Sequence, residues 1–322
     1  MLRLESVCSI PTEEFLATRL AFTPDGQHIV IGHRGLTQYG ILSGRPVRTY
    51  PFDAFVAAIE FSPDGRFIAC VNDDDRQPKT RGLAGIFDTE SGQLLWQLET
   101  ARPIETGCFL EDTFLYKEFL PGGGTRLTAC RLGGGDAPAI DLPDWNVREI
   151  AASGGAVTLF GQDSAPTVCD IEGASLDFYP FKVGTVLYPD GAQGPVRRVA
   201  LGAGRSKLAP GGQSLALELI DFRSRTHCVS LIRVETGAEG QLALAADSVP
   251  AFAFSGDGEQ FLCLTEDAES GGALLRLWET RTMKLIGRTS FPSHYHTVAL
   301  HWPARRLAAI GGGRCDIGLI HL

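Results

Sequence analysis

The sequence predicts an all-β repeat protein assembled from many short antiparallel strands. Three observations carry this prediction: a turn that returns along the chain, apolar positions with a two-residue period on either side of it, and a steady spacing between copies. The turn reads Phe22-Thr23-Pro24-Asp25-Gly26, then Phe61-Ser62-Pro63-Asp64-Gly65, then Phe254-Ser255-Gly256-Asp257-Gly258. Pro presets φ at the second turn position, Asp bonds its own backbone, and Gly takes the left-handed conformation that lets an antiparallel strand return. Leu20, Phe22, Ile29 and Ile31 flank the first copy, and Ile59, Phe61, Phe67 and Ile68 the second, with a mostly two-residue period. These are hairpins with one face in a core.

With the phase known, degenerate copies follow. Taking the last apolar residue before each turn as an anchor gives Phe22, Phe61, Phe109, Ile150, Leu208, Phe254 and His301, spaced 39 to 58 residues apart with a mean of about 46. That matches a four-stranded propeller blade of roughly 40–45 residues plus loops. A unit of this size cannot bury its own faces and must stack on its neighbours. Seven anchors predict a seven-bladed β-propeller of four-stranded antiparallel blades, a single domain over residues 1–322.

The second half of each unit supplies two further strands. Gly85-Ile86-Phe87-Asp88-Thr89-Glu90-Ser91-Gly92-Gln93-Leu94-Leu95-Trp96 reads as a strand, a turn and a strand, and the segments 231–237 and 274–285 repeat the plan. With Phe87-Asp88, Val234-Glu235 and Trp278-Glu279 at the Trp-Asp position, these units resemble the WD-repeat pattern, most clearly in the second and sixth. The Gly-His pair of that pattern is missing ahead of the first strands, and Gly32-His33 follows a second strand. The resemblance is therefore to WD40-like propellers broadly, including YVTN and quinoprotein-like ones, and it implies a ring of blades with a central channel.

The ends of the chain complement each other. Only 21 residues follow His301, enough for two more strands, while residues 2–10 at the N-terminus have strand character and precede the first anchored unit. The N-terminal strand 2–10 is expected to complete the last blade and close the ring, which removes free sheet edges. The longest interval, before Leu208, contains an extra Tyr188-Pro189-Asp190-Gly191 turn and is read as an inserted hairpin at 183–201.

Composition excludes several classes. No apolar stretch reaches the ~18 residues of a membrane span, and Arg3 and Glu5 interrupt the N-terminus where a signal peptide needs an apolar run. The expectation is a cytoplasmic monomer without membrane contact. Eight cysteines are scattered without a C-x-x-C pair or a His at zinc spacing, so they read as buried thiols. A formal charge of −9 opposes nucleic acid as a partner. One basic stretch, Arg197, Arg198, Arg205 and Lys207, is a candidate anion patch.

Catalytic motifs are absent. The triple glycines at 122–124, 133–135 and 311–313 lack the Lys-Ser/Thr of a phosphate loop, and Asp73-Asp74-Asp75 lacks the alternation of a calcium loop. His294-Tyr295-His296 has two rings on one side of an extended segment but no third metal ligand. No cofactor is expected. The reading is a non-catalytic scaffold that binds another protein or peptide through the face where fourth strands hand over to the next first strands. Candidate contact residues there are Phe52, Asp53, Arg102, Trp145, Asn146, Val249, His294 and Tyr295. The competing class is a small-molecule or metal-dependent enzyme, a hydrolase or quinoprotein-like, using the central channel.

Overall fold

The computed structural model describes residues 2–12, 19–72, 82–100, 104, 106–121, 123–132, 139–153, 156–163, 167–171, 174–178, 181–187, 190–198, 203–221, 226–242, 251–266, 273–291 and 295–322. Among these residues every regular element is a strand. After β1 (Arg3–Pro11), the strands β2 (Arg19–Phe22), β3 (His28–Gly40), β4 (Pro46–Phe61), β5 (Phe67–Asn72), β6 (Gly82–Asp88) and β7 (Leu94–Thr100) run in sequence order through one six-stranded sheet. β8 (Gly107–Leu110), β9 (Thr113–Phe119), β10 (Thr125–Arg131) and β11 (Ile140–Leu142) form a four-stranded meander. The next sheet has the order β12 (Trp145–Ser153), β13 (Ala156–Asp163), β16 (Phe181–Leu187), β17 (Gln193–Arg198), with β14 (Thr167–Ile171) and β15 (Ala174–Phe178) pairing separately. Two more meanders follow, β18 (Ala203–Leu208) to β21 (Glu239–Leu242) through β19 (Ser214–Asp221) and β20 (Thr226–Arg233), and β22 (Ala251–Phe254) to β25 (Lys284–Phe291) through β23 (Gln260–Glu266) and β24 (Ala273–Glu279). The last sheet joins both ends of the chain in the order β1, β28 (Arg314–His321), β27 (Arg306–Gly311), β26 (Thr297–His301).

One expectation is corrected here. Segment 183–201 is not an inserted hairpin, because β16 and β17 within it are the third and fourth strands of their sheet, with Val183 opposite Arg197. The separate hairpin is β14–β15, Thr167 opposite Phe178. A Pro-Asp-Gly turn specifies a tight reversal but not which of a sheet's hairpins it closes. Here it serves the later one, with Gly191 at φ 68° and its N–H donating to Leu187 O at 2.8 Å.

The repeated turns are built identically. Thr23, Ser62 and Ser255 donate their hydroxyls to Asp25, Asp64 and Asp257 at 2.6, 2.7 and 2.5 Å. The same carboxylates accept the amides of Gln27, Arg66 and Glu259 at 2.9–3.0 Å. The hydroxyl oxygens accept the amides of His28, Phe67 and Gln260 at 2.9–3.0 Å. Each turn thus satisfies its own backbone without a neighbour. A degenerate copy keeps the shape at a cost: Arg305 closes the same bond to Trp302 O at 2.8 Å with φ 49°, where Gly26, Gly65, Gly212 and Gly258 close it elsewhere.

A second hydrogen bond recurs one strand further out, from Thr89 N to Arg66 O, Val234 N to Gln213 O, Thr280 N to Glu259 O and Ile320 N to Arg305 O. Ile41 N makes the counterpart bond to Gln27 O at 3.3 Å, so the long β3 folds back on itself about Gly35, whose φ is 104°. β4 serves two neighbours: its first part pairs with β3 (Tyr50 opposite Leu36) and its second with β5 (Ile59 opposite Cys70).

Among the described residues, apolar side chains gather in seven clusters, six joining successive sheets and one, around Tyr50 and Phe52, within the six-stranded sheet. Ile29, Ile31 and Tyr39 pack with Ile10, Ile310 and Ile317, whereas Tyr50 and Phe52 pack with Ile68 and Phe87. Alternate residues of a strand point to opposite faces, so one sheet feeds the core on each of its sides. Arginines span the same gaps further out: Arg48 donates to Thr89 O, Arg197 to Glu235 O and Arg233 to Arg281 O, each bridging consecutive chain segments.

Candidate functional site

Strands β2, β4, β8, β12, β18, β22 and β26 line a cavity of about 1360 Å³. Ala21, Ala151, Ala251, Ala253 and Ala299 lie on its wall, small side chains that leave the middle open. Most of the lining is apolar, including Ile59, Phe61, Ile150, Phe252 and Val298. One sector is charged: Arg19 on β2, Glu60 on β4, Glu149 on β12, and Ser206 and Lys207 on β18.

The carboxyls in this sector are half-buried, and their acidities show it. Burial pushes Glu60 up to about 7, with Lys207 opposing and Glu149 reinforcing the shift. Burial also raises Glu149, against the pull of Lys207, the Ser206 hydroxyl, Lys117 and Arg19. Ser206 Oγ donates to Glu149 Oε1 at 3.4 Å, and Arg19 Nε donates to Ala57 O on β4. Lys117 lies behind this wall, fully buried, with its ammonium donating to Val147 O at 2.7 Å and 4.5 Å from the Phe119 ring centre. A bulge in β12 between Val147 and Glu149 turns the strand locally, placing the carbonyl and the carboxylate toward different neighbours. Cys108 lies close enough to Glu60 for that charge to raise its thiol further, after burial.

The face residues expected from the sequence divide. Phe52, Trp145 and Tyr295 are buried members of apolar cores, Trp145 and Tyr295 between successive sheets and Phe52 within the six-stranded sheet. Their bulk is buried in these cores, which corrects the expectation that they are displayed. The Trp145 ring lies under the Lys182 ammonium at 5.0 Å, and Lys182 also reaches Asp163 at 3.3 Å and Asp144 O at 2.6 Å. Tyr295 donates to Asp316 Oδ2 at 2.5 Å. Asp53 is exposed and pairs with Arg34 at 3.0 Å, and Asn146 is half-buried. Arg102, Val249 and His294 lie outside the described residues.

The four residues of the candidate anion patch divide between two sheets. Arg197 and Arg198 stand on β17, the last strand of its sheet, whereas Arg205 and Lys207 stand on β18, which lines the cavity. Arg197 is engaged with Glu235 O at 2.5 Å and Lys207 points into the channel sector. The charged sector itself was missed because its members are scattered between residues 19 and 207. A signal was available, since Glu60, Glu149 and Lys207 each stand one residue before an anchor of the repeat. Among the described residues, no three His, Cys, Asp or Glu side chains are grouped to hold a metal ion.

Comparison with known proteins places the fold. The chain superposes on the β-propeller domain of Cps50 (Swd1) from Myceliophteria thermophila with a TM-score of 0.67 and 13% identity, covering 96% of this chain and 99% of that one. It also matches hydrazine synthase from Kuenenia stuttgartiensis with a TM-score of 0.66 and 12% identity, covering 93% and 92%. The fold is a WD40-like β-propeller. At these identities the likeness is one of fold alone. No protein-family model and no curated protein sequence matches the chain.

Proposed function

We propose that the chain is a non-catalytic interaction scaffold, a seven-bladed propeller closed by its N-terminal strand, that binds another protein or peptide through one face. Support for seven blades comes from dividing the six-stranded sheet at β4 and adding the five four-stranded sheets. It also comes from the innermost strands, which neighbour one another as β2–β4–β8–β12–β18–β22–β26 and back to β2.

The observation that carries the scaffold reading is the asymmetry of the two ends of the sheets. At one end most connections are short turns that close on their own hydrogen bonds, as at 23–27, 62–66 and 255–259, with Arg131 to Ile140 the longer exception. The other end receives the long connections, Asn72 to Gly82, Asp163 to Phe181, Leu242 to Ala251 and Glu266 to Ala273. Long connections on a rigid frame are where recognition residues concentrate. The described cysteines are unpaired, which supports a reducing compartment such as the cytoplasm. The reading takes the free chain as a monomer.

The test is affinity capture with mass spectrometry, using charge reversal on each face. Asp53→Lys on the long-connection side is expected to remove partners that Glu111→Lys on the turn side retains. Failure to recover any specific partner, or loss with Glu111→Lys alone, overturns the reading.

A further inference from the structure

The charged sector of the channel has a property that scaffolding does not use. Glu60 on β4 and Lys207 on β18 face one cavity from strands that are not neighbours. Lys207 acts electrostatically on both Glu60 and Glu149. Yet neither the Glu60 carboxyl nor the Lys207 ammonium forms a hydrogen bond, or an ion pair within 4.0 Å, among the described residues. Opposite charges are thus held across a gap without closing on each other. Glu60 has lost part of its water without gaining a direct partner, and Lys207 stands exposed in the same cavity, an arrangement that a ligand carrying both complements would relieve.

We propose that the channel binds a small amphipathic zwitterion, of the free amino acid or dipeptide class, with its ammonium at Glu60 and Glu149 and its carboxylate at Lys207 and Arg19. Single charges are disfavoured from both directions. A simple anion meets the two glutamates, and a simple cation meets Lys207 and Arg19, so the site discriminates by repulsion as well as attraction. The apolar wall beside the sector, Ile59, Phe61, Ile150 and Phe252, suits a hydrophobic side chain on the ligand. The cavity exceeds the roughly 300–1,000 Å³ of most ligand sites, so such a molecule fills this sector and leaves the rest of the channel to water. Ligand ammonium favours ionised carboxylates at Glu60 and Glu149, within the field of Lys207, Arg19 and Lys117 and beside the Cys108 thiol. Binding should therefore weaken as pH falls below about 7, where Glu60 takes up its proton.

Isothermal titration calorimetry on the intact chain tests this with L-phenylalanine and glycyl-L-phenylalanine as probes. N-acetyl-L-phenylalanine, without the cation, and L-phenylalaninamide, without the anion, are the matched controls. The zwitterions are expected to bind, and each control to bind at least about 10-fold more weakly. Glu60→Gln and Lys207→Met are each expected to lower affinity roughly 10- to 100-fold, as loss of a charge-assisted contact does. Thermal melts should show both variants folded, since one is isosteric and the other lies exposed in the channel. No binding of either zwitterion at millimolar concentration, equal binding of the single-charge controls, or wild-type affinity in both variants overturns the proposal. The scaffold reading is separate: both variants should retain captured partners whatever the calorimetry shows.

Discussion

Ser9 Oγ donates to Asp316 Oδ1 at 2.6 Å, joining the first and last strands across 307 residues of sequence. Asp316 also accepts from Tyr295 at 2.5 Å and from Arg314 at 2.9 Å, so one carboxylate gathers three donors from three segments. The backbone agrees, with Leu4 opposite Ile320 and Ile10 opposite Cys315.

Asp316→Ala removes the common acceptor and leaves the buried Tyr295 hydroxyl without this partner. The expected loss is about 2–3 kcal/mol, larger than for Ser9→Ala at about 1 kcal/mol, measured by urea unfolding. Equal effects from the two changes would show that the carboxylate is not the centre of this network.

The repeated turn predicts a paired result at one site. Asp64→Ala deletes the acceptor of Ser62 and of the Arg66 amide, and is expected to cost about 1 kcal/mol. Gly65→Ala costs a similar amount through its φ of 73°. In the reverse direction, Glu111 sits at φ 55°, and Glu111→Gly should stabilise by about 0.5–1 kcal/mol. Hydrogen bonding to Ser62 holds the Asp64 carboxyl below its ordinary 3.8, so its contribution is present above that pH and fades as pH falls through the depressed value.

Trp145→Ala and Tyr295→Ala should behave as core mutations. Both side chains are about 3% exposed, and truncation of a buried aromatic typically costs about 3–5 kcal/mol. Melting temperature is expected to fall sharply in both. Unchanged melting together with selective loss of a bound partner would return these residues to an exposed face.

Glu60 sets a pH dependence of opposite sign to Asp64. Its carboxyl rises from 4.5 to about 7 on folding, so the folded chain holds that proton more tightly than the unfolded one. Its contribution is most favourable below about pH 4.5, declines as pH rises, and the penalty is complete above about 7. Glu60→Gln should remove that slope, and at pH 8 it should raise stability by an amount on the order of 1 kcal/mol, reduced by water in the channel. Denaturant midpoints of wild type and variant at pH 5 and pH 8 measure it, and parallel shifts in the two proteins would refute it.

The sequence alone determined the strand class and the repeat, because turn chemistry and two-residue apolar alternation are local. Phe61 to Gly65 and Phe254 to Gly258 carry their turn geometry wherever they are placed. It also indicated strand character at residues 2–10, since a hydrophobic strand needs a partner. Tertiary structure alone decided radial position. It buried Phe52, Trp145 and Tyr295 in apolar cores, moved the separate hairpin to Thr167–Phe178, and put Arg197 and Lys207 in different sheets. It also brought Arg19, Glu60, Glu149 and Lys207 to one cavity. Depth from the middle of a stacked-sheet fold depends on how whole sheets pack against each other, and no local pattern of residues encodes that distance.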